Sequence, residues 1–206
     1  MTYLSADERR RVIVDAAVRV IATEGLAGAT TRRIADQAGV PLGTLHYCFR
    51  NKDELNLLIL GRGHATMLSA FEGLDREAGF EATVREVVAT YWRWIRDHHG
   101  LHLSLMELLM WAIRNKEAVL PGRDVWAEVN APFGGDLIAS ALAAAAERDG
   151  LRTAVPVPEL ARFLIHRMDG LVLELAETSD EASCERQTLL LADALVLLAL
   201  PRQGSG

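Results

Sequence analysis

A single glycine, Gly39, most constrains how this chain can fold, because it separates two short helical segments. Residues 31–38 and 42–48 each carry an apolar face, and a sharp turn between them needs a residue that tolerates positive φ. Small or apolar residues occupy the positions where two such helices would meet: Ile34, Ala35, Val40 and Leu45. The pattern predicts a helix-turn-helix, whose second helix enters the major groove of DNA. Another tight helical corner without that role remains an alternative.

Helical periodicity extends through the rest of the chain, and strand signals are nearly absent. Ser5–Glu8 has the spacing of a capping box that begins a helix, and Gly25 is placed to end that helix. A second box, Asn51–Glu54, begins a longer helix that is predicted to reach Leu74. Further helices are predicted over residues 81–98, 101–118, 123–149, 159–178 and 184–200. The chain is therefore expected to be all-α.

Composition and local sequence pattern argue against a secreted, disulfide-bonded or membrane-spanning protein. Half of the 206 residues are hydrophobic, and the two cysteines, Cys48 and Cys184, lack the CxxC spacing of redox or metal motifs. No N-terminal stretch has the pattern of a signal peptide. The longest aliphatic run, residues 188–200, is too short to cross a bilayer and contains Asp193. We therefore expect a cytoplasmic protein that does not bind a membrane.

The charge is distributed unevenly along the chain. Residues 1–60 hold eight Lys and Arg against seven Asp and Glu, whereas residues 61–206 hold 14 against 21. Electrostatic attraction to phosphate decays over about 8–10 Å at cellular salt, so local charge matters more than the total of −6. The overall acidity therefore does not exclude DNA binding. Seven of the basic residues that fall in the N-terminal third are Arg9, Arg10, Arg11, Arg32, Arg33, Arg50 and Lys52.

Three stretches in the same order resemble the tetracycline-repressor (TetR) family of transcriptional regulators: TTRRIADQAGV (residues 30–40), GTLHYCF (43–49) and NKDEL (51–55). The resemblance implies a three-helix helix-turn-helix DNA-binding domain over residues 1–52. It implies a larger helical ligand-binding and dimerisation domain over residues 53–206. The implied function is a repressor that binds a palindromic operator as a homodimer and is released by a small, largely apolar effector. The sequence has no Ser/His/Asp signature, no phosphate-binding loop and no setting for a nucleophilic cysteine, so we expect no enzymatic activity and no cofactor.

The resemblance carries DNA contacts to seven positions of this chain: Thr31, Arg32, Gly43, Thr44, His46, Tyr47 and Lys52. Thr31, Arg32 and Lys52 would meet phosphates, because helix N-termini and cations favour them. Thr44 and Tyr47 would contact the DNA backbone or base edges.

Other positions of the motif would pack inward or depart from the family pattern. Leu45 and Phe49 match residues that face the core. His46 stands where the family usually has tyrosine, and Cys48 where it usually has histidine. Pro41–Leu42 replaces a common serine and lysine, which removes one expected phosphate contact. The operator sequence therefore cannot be transferred from relatives. For Cys48 we favour a small buried side chain over a redox sensor.

The resemblance also implies that the last two helices pair across a two-fold axis. Residues there, all but one of them apolar, recur at helical spacing, and the internal core is the alternative for each: Leu160, Phe163, Leu164, Arg167, Leu171, Leu175, Leu189, Ala192, Val196, Leu197 and Leu200. Large, adaptable side chains and a few polar groups form the predicted ligand site, again with ordinary core as the alternative: Trp92, His102, Met106, Met110, Trp111, Trp126, Asn130, Phe133 and His166.

Two further hypotheses are weaker. His98, His99 and His102 invite a metal site, but Gly100 is expected to end the helix between them, and no further ligand is evident. A helical carrier that binds small molecules without binding DNA is the second functional hypothesis. The predicted cluster of DNA contacts around one turn argues against it.

Overall fold

A computed structural model describes residues 5–75, 77–125, 127–128 and 135–201. The described residues contain helices and no strand, which confirms the all-α prediction. The α-helices are α1 Ala6–Gly28, α2 Thr31–Ala38, α3 Leu42–Cys48, α4 Lys52–Leu68, α5 Phe80–Asp97, α6 His99–Arg114, α7 Lys116–Val119, α8 Asp136–Arg148, α9 Val157–Thr178 and α10 Glu181–Ala199.

Local signals set the bounds of α1. The Glu8 amide donates to Ser5 Oγ at 3.2 Å and the Ser5 amide donates to Glu8 Oε2 at 2.8 Å, so the predicted capping box is confirmed. These bonds lower the pKa of the Glu8 carboxyl. The apolar face of α1, including Ile13 and Ile21, is fully buried. Gly25 has φ +71°, outside the helical region, so it interrupts α1 as predicted before one more turn forms.

The helix-turn-helix forms within one residue of its predicted bounds. Thr30 Oγ1 accepts a hydrogen bond from the Arg33 amide at 3.2 Å and caps α2. Gly39 ends α2 in the left-handed conformation, at φ +66° and ψ +31°. Ile34 and Ala35 on α2 and Leu45 on α3 are buried where the helices meet. The turn therefore has the geometry that Gly39 predicts.

The described part of the chain packs as two compact units. The first comprises the described residues within 1–66 and 98–129, and the second comprises those within 67–97 and 130–206. Within the first unit α6 packs against α1, although some 70 residues separate them in sequence. Packing does not test which segments fold alone, so the predicted domain boundary after residue 52 stays a prediction.

Three predicted helix ends are wrong, and one of them is the end of the helix predicted over residues 101–118, since α6 stops at Arg114 and the separate α7 follows. α4 ends at Leu68 rather than Leu74, and a 3₁₀ turn over Ser69–Phe71 follows it. Phe71 is buried and meets the Tyr91 ring edge-on, with centroids 6.1 Å apart, so tertiary packing tightens the chain there. Gly100 does not end a helix, since α5 ends before it and Gly100 lies inside the first turn of α6.

In the second unit α5, α8, α9 and α10 share one core. Leu160, Leu164 and Leu171 of α9 are buried in that core. The leucine stripe proposed for dimer contact on α9 is therefore largely internal packing, because it faces α8 and α10 of its own chain. The apolar side chains exposed on α9, on α10 and just after α10 include three of the predicted set, Leu189, Leu197 and Leu200, and three that were not in it, Leu173, Leu190 and Leu198.

Candidate nucleic-acid interface

The helix α3 presents a polar and aromatic face to solvent. Leu45 is buried on its inner side, and Phe49, immediately after the helix, is buried too, as predicted. Gly43 and His46 are exposed and Thr44 is half-buried. Tyr47 is 85% exposed. A large aromatic ring left in water at the end of a short, otherwise anchored helix is typical of a binding surface.

Cationic and hydroxyl groups flank α3. Helix α2 begins with Thr31, which is half-buried, and Arg32, which is exposed. Helix α4 begins with Lys52, which is exposed. Within the described residues, no ion pair joins Arg32 or Lys52 to a carboxylate. Helix N-termini and uncompensated cations favour phosphate. The structure therefore places the seven predicted contact residues on α2, α3 and the start of α4; their individual roles stay predictions.

Other basic residues of this region are neutralised within the protein. Arg33 pairs with Glu24 at 2.7 Å, and Arg62 pairs with Asp15 at 2.5 Å. Because Arg33 is one of the eight cations counted over residues 1–60, that count overstates how many of them can meet phosphate; Arg62 lies just beyond the counted range. Sequence reasoning missed these pairs because their members lie nine and 47 residues apart.

Arg10, Glu54 and the loop between α3 and α4 form one network. Arg10 Nη1 donates to the carbonyl oxygen of Cys48, and Nη2 donates to Glu54 Oε1 at 2.6 Å. The guanidinium lies 4.9 Å from the centroid of the Phe49 ring. Glu54 Oε2 accepts from the Arg50 amide at 2.7 Å. The bond from Arg10, and then that from Arg50, lower the pKa of the Glu54 carboxyl.

The predicted capping box at the start of α4 forms only in part. Asn51 Oδ1 accepts from the Glu54 amide at 2.8 Å, as in such a box. The Glu54 carboxylate does not return to the Asn51 amide; it accepts from Arg50 and Arg10 instead. A charged donor from α1 attracts the carboxylate more strongly than a neutral amide does.

Comparison with known proteins shows which family shares this sequence and architecture. A model of bacterial regulatory proteins of the tetR family matches residues 13–58. The HTH-type nicotine-responsive transcriptional repressor HdnoR of Paenarthrobacter nicotinovorans is 30% identical over 179 residues, which cover 86% of this chain and 89% of that protein. The chain belongs to the TetR family. It is therefore a DNA-binding transcriptional regulator and not an enzyme, and the hypothesis of a carrier without DNA binding is wrong.

Solved structures extend the likeness of this TetR-family regulator over nearly the whole chain. The multidrug binding protein EbrR complexed with ethidium is 27% identical, with a TM-score of 0.66, and the match covers 94% of this chain and all of that one. The same protein complexed with malachite green is 30% identical, with a TM-score of 0.57, over 94% of this chain and 99% of that one.

The residues predicted to bind a ligand occupy varied environments. Trp92 of α5 is buried, while His166 of α9 is exposed, both in the second unit. In the first unit His102 is buried, and Met110 is half-exposed. The remaining members are two half-buried residues of α6, Met106 and Trp111, and three outside the described residues, Trp126, Asn130 and Phe133. The ligand set of this TetR-family regulator stays a prediction.

Buried polar groups in the second unit mark an environment that excludes water. The indole Nε1 of Trp92 is buried and has no hydrogen-bond acceptor among the described residues. Burial, and then the charge of Asp169, raise the pKa of the neighbouring Tyr91 hydroxyl. A buried donor without an acceptor costs free energy, so the Trp92 indole is suited to a ligand that supplies one.

The remaining sequence hypotheses concern cysteines, metals and membranes. Cys48 and Cys184 are buried thiols, and burial raises the pKa of Cys184. Over the described ranges no three His, Cys, Asp or Glu side chains cluster as metal ligands would. In the same part of the chain, none of the helices combines the length and apolarity needed to span a bilayer.

Proposed function

We propose that this regulator is a repressor that binds a palindromic operator as a homodimer and is released by a small, largely apolar effector. The observation that carries the DNA-binding part is Tyr47, which is 85% exposed on a helix whose inner face is anchored by Leu45. The predicted cytoplasmic location belongs to this proposal, because the operator lies on the chromosome.

On DNA, α3 is the recognition helix. Gly43, Thr44, His46 and Tyr47 would lie against base edges and the sugar-phosphate backbone of the major groove. Thr31, Arg32 and Lys52 would bind phosphates on either side of that groove and fix the position of α3. A seven-residue helix reads few base pairs, which is why two copies on successive half-sites are needed.

The exposed leucines of the last two helices support a dimer. Leu190 and Leu197 are seven residues apart on α10, so they lie on one helix face, and they are 66% and 71% exposed. Leu173 adds a third exposed apolar side chain on α9, which packs beside α10. Exposed apolar side chains on two neighbouring helices are typical of a protein interface, and a second copy of the same face satisfies two-fold symmetry.

The names of the relatives support an aromatic, nitrogen-containing effector. One relative is a nicotine-responsive repressor, and another was solved with ethidium and with malachite green. In this chain, Tyr91 and Trp92 provide buried aromatic surface, and the unpaired Trp92 indole can donate to a heteroatom. Effector binding would shift α4 and with it α3, so that two recognition helices no longer fit successive grooves.

Selection from a randomised duplex pool tests the DNA-binding proposal. We expect the purified full-length chain to enrich a palindrome, whose affinity is then measured by fluorescence anisotropy. Tyr47→Ala should weaken binding by about 1–3 kcal/mol per half-site. Ile113→Ala, which truncates another exposed apolar side chain, is the matched control and should bind as the parent does. Failure to enrich any sequence would defeat the proposal.

Tryptophan fluorescence tests the effector without DNA, which avoids intercalation of ethidium into the duplex. Nicotine, malachite green and ethidium are titrated into the parent, Trp92→Phe and Trp94→Phe proteins. We expect Trp92→Phe to lose affinity, whereas Trp94→Phe, on the opposite side of α5, should retain it. A compound that binds is then tested for release of labelled operator. No binding by any of the three would reject this effector class.

A further inference from the structure

We propose that Arg10 is a positioning residue for the recognition helix: its guanidinium holds α3 at the angle to α4 that operator binding requires. The inference rests on the operator binding proposed above and adds a residue outside the helix-turn-helix. Arg10 belongs to α1 and would act on DNA only through α3.

The contacts of Arg10 secure both sides of the loop between α3 and α4. On one side, Nη1 binds the carbonyl oxygen of Cys48, the last residue of α3, and the guanidinium covers the Phe49 ring. On the other side, Nη2 binds Glu54 in the first turn of α4. Glu54 also holds the Arg50 amide in the middle of the loop. One side chain thus joins three helices.

The recognition helix needs such support because it is short. Only Leu45 and Cys48 of its seven residues are buried, too few to fix the orientation of a helix by packing alone. Its C-terminal carbonyls carry partial negative charge, which a guanidinium stabilises. Tyr47 precedes the anchored Cys48, so a change in the angle of α3 displaces the exposed ring directly.

A direct phosphate contact is the competing role for Arg10. Its side chain is 33% exposed, but both terminal nitrogens donate to protein groups, and Glu54 offsets its charge. A substitution of Arg10 by lysine distinguishes the phosphate-contact role from the positioning role. Lysine keeps the charge that a phosphate contact needs, but it lacks the planar fork that binds a carbonyl and a carboxylate together.

The test compares Arg10→Lys with the parent on the selected operator and on a random duplex, at several salt concentrations. We expect about a tenfold loss of operator affinity, comparable with one charge-assisted hydrogen bond. Affinity for random DNA and the salt dependence should stay unchanged. Arg11→Lys, at the next, exposed position of α1, is the control and should retain full operator affinity.

Three outcomes would overturn the proposal. Full operator affinity in Arg10→Lys would overturn it. In Arg10→Gln, a joint loss of affinity for random DNA and of salt dependence would also overturn it, because that combination indicates a phosphate contact. If the Arg10 variants fail to fold, Glu54→Gln must show the same selective loss, and full operator affinity there would also reject it. If the parent chain selects no operator, the proposed function fails and this inference fails with it. If the parent selects an operator that Arg10→Lys binds fully, only this inference fails.

Discussion

The backbone of Gly63 in α4 passes directly against the side chain of Leu105 in α6. A β-carbon added to Gly63 would clash with Leu105 Cδ2, and Leu105 is itself buried. The absence of a side chain at residue 63 thus allows the helix that follows the recognition helix to approach α6. Because α6 also packs against α1, the helices that precede and follow the helix-turn-helix, α1 and α4, both contact α6.

Gly63→Ala is therefore expected to destabilise the protein by about 1–3 kcal/mol, because the added methyl group overpacks a buried contact. Urea denaturation followed by circular dichroism measures the change. Gly100→Ala provides the control: its β-carbon would have only an ordinary contact, 3.7 Å from the Ala22 carbonyl oxygen, and alanine favours a helix. Equal effects of the two substitutions would contradict the close approach at Gly63.

Lys52→Ala is expected to weaken binding to operator and random DNA alike, since a phosphate contact carries no sequence information. The slope of log affinity against log salt should fall by about one per protomer. The chain has one other lysine, Lys116, which likewise begins a helix and is exposed. Lys116→Ala should change neither quantity. An unaltered salt slope in Lys52→Ala would remove Lys52 from the interface.

Leu197→Arg is expected to convert the dimer to monomers, measured by sedimentation equilibrium. Two symmetry-related leucines would each lose roughly 1.5 kcal/mol of apolar burial, so dimerisation should weaken by at least about 3 kcal/mol. Leu137→Arg on α8, another exposed leucine of the same unit, should leave the dimer intact. A Leu197→Arg protein that sediments as the parent does would place the interface elsewhere.

Glu54→Gln is expected to reduce the free energy of unfolding at neutral pH, and the loss should shrink in acid. The pKa of Glu54 is lowered in the folded protein, so its contribution to stability is complete above the ordinary glutamate pKa of about 4.3. That contribution disappears as the pH falls further, through the lower pKa of the folded state.

Urea titrations at pH 7, 5, 4 and 3 measure this dependence on the Glu54 carboxylate. In an Arg10→Gln background, Glu54→Gln should show a much weaker dependence, because the main cause of the pKa shift is gone. A difference between parent and Glu54→Gln that is constant across this range would show that the carboxylate charge is not what stabilises the loop.

Much of the DNA-binding module is predictable from sequence because its signals are local. The left-handed Gly39 and the buried Leu45 appear where the sequence predicts them, and the Thr30 cap that the structure adds also acts within three residues. The exposed position of Tyr47 also agrees with the family motif. The prediction that Gly100 ends a helix is wrong because a glycine by itself does not distinguish a helix end from a position inside a helix.

The sequence by itself determined the helices, the turn and the family, since capping, helical periodicity and turn chemistry depend on neighbours along the chain. Tertiary structure alone decided which charges pair and which leucines face outward. Arg10 and Glu54 lie 44 residues apart, and Leu171 and Leu173 carry the same side chain, yet one is buried and the other exposed. Those outcomes depend on which helices meet in space, and no local pattern encodes that.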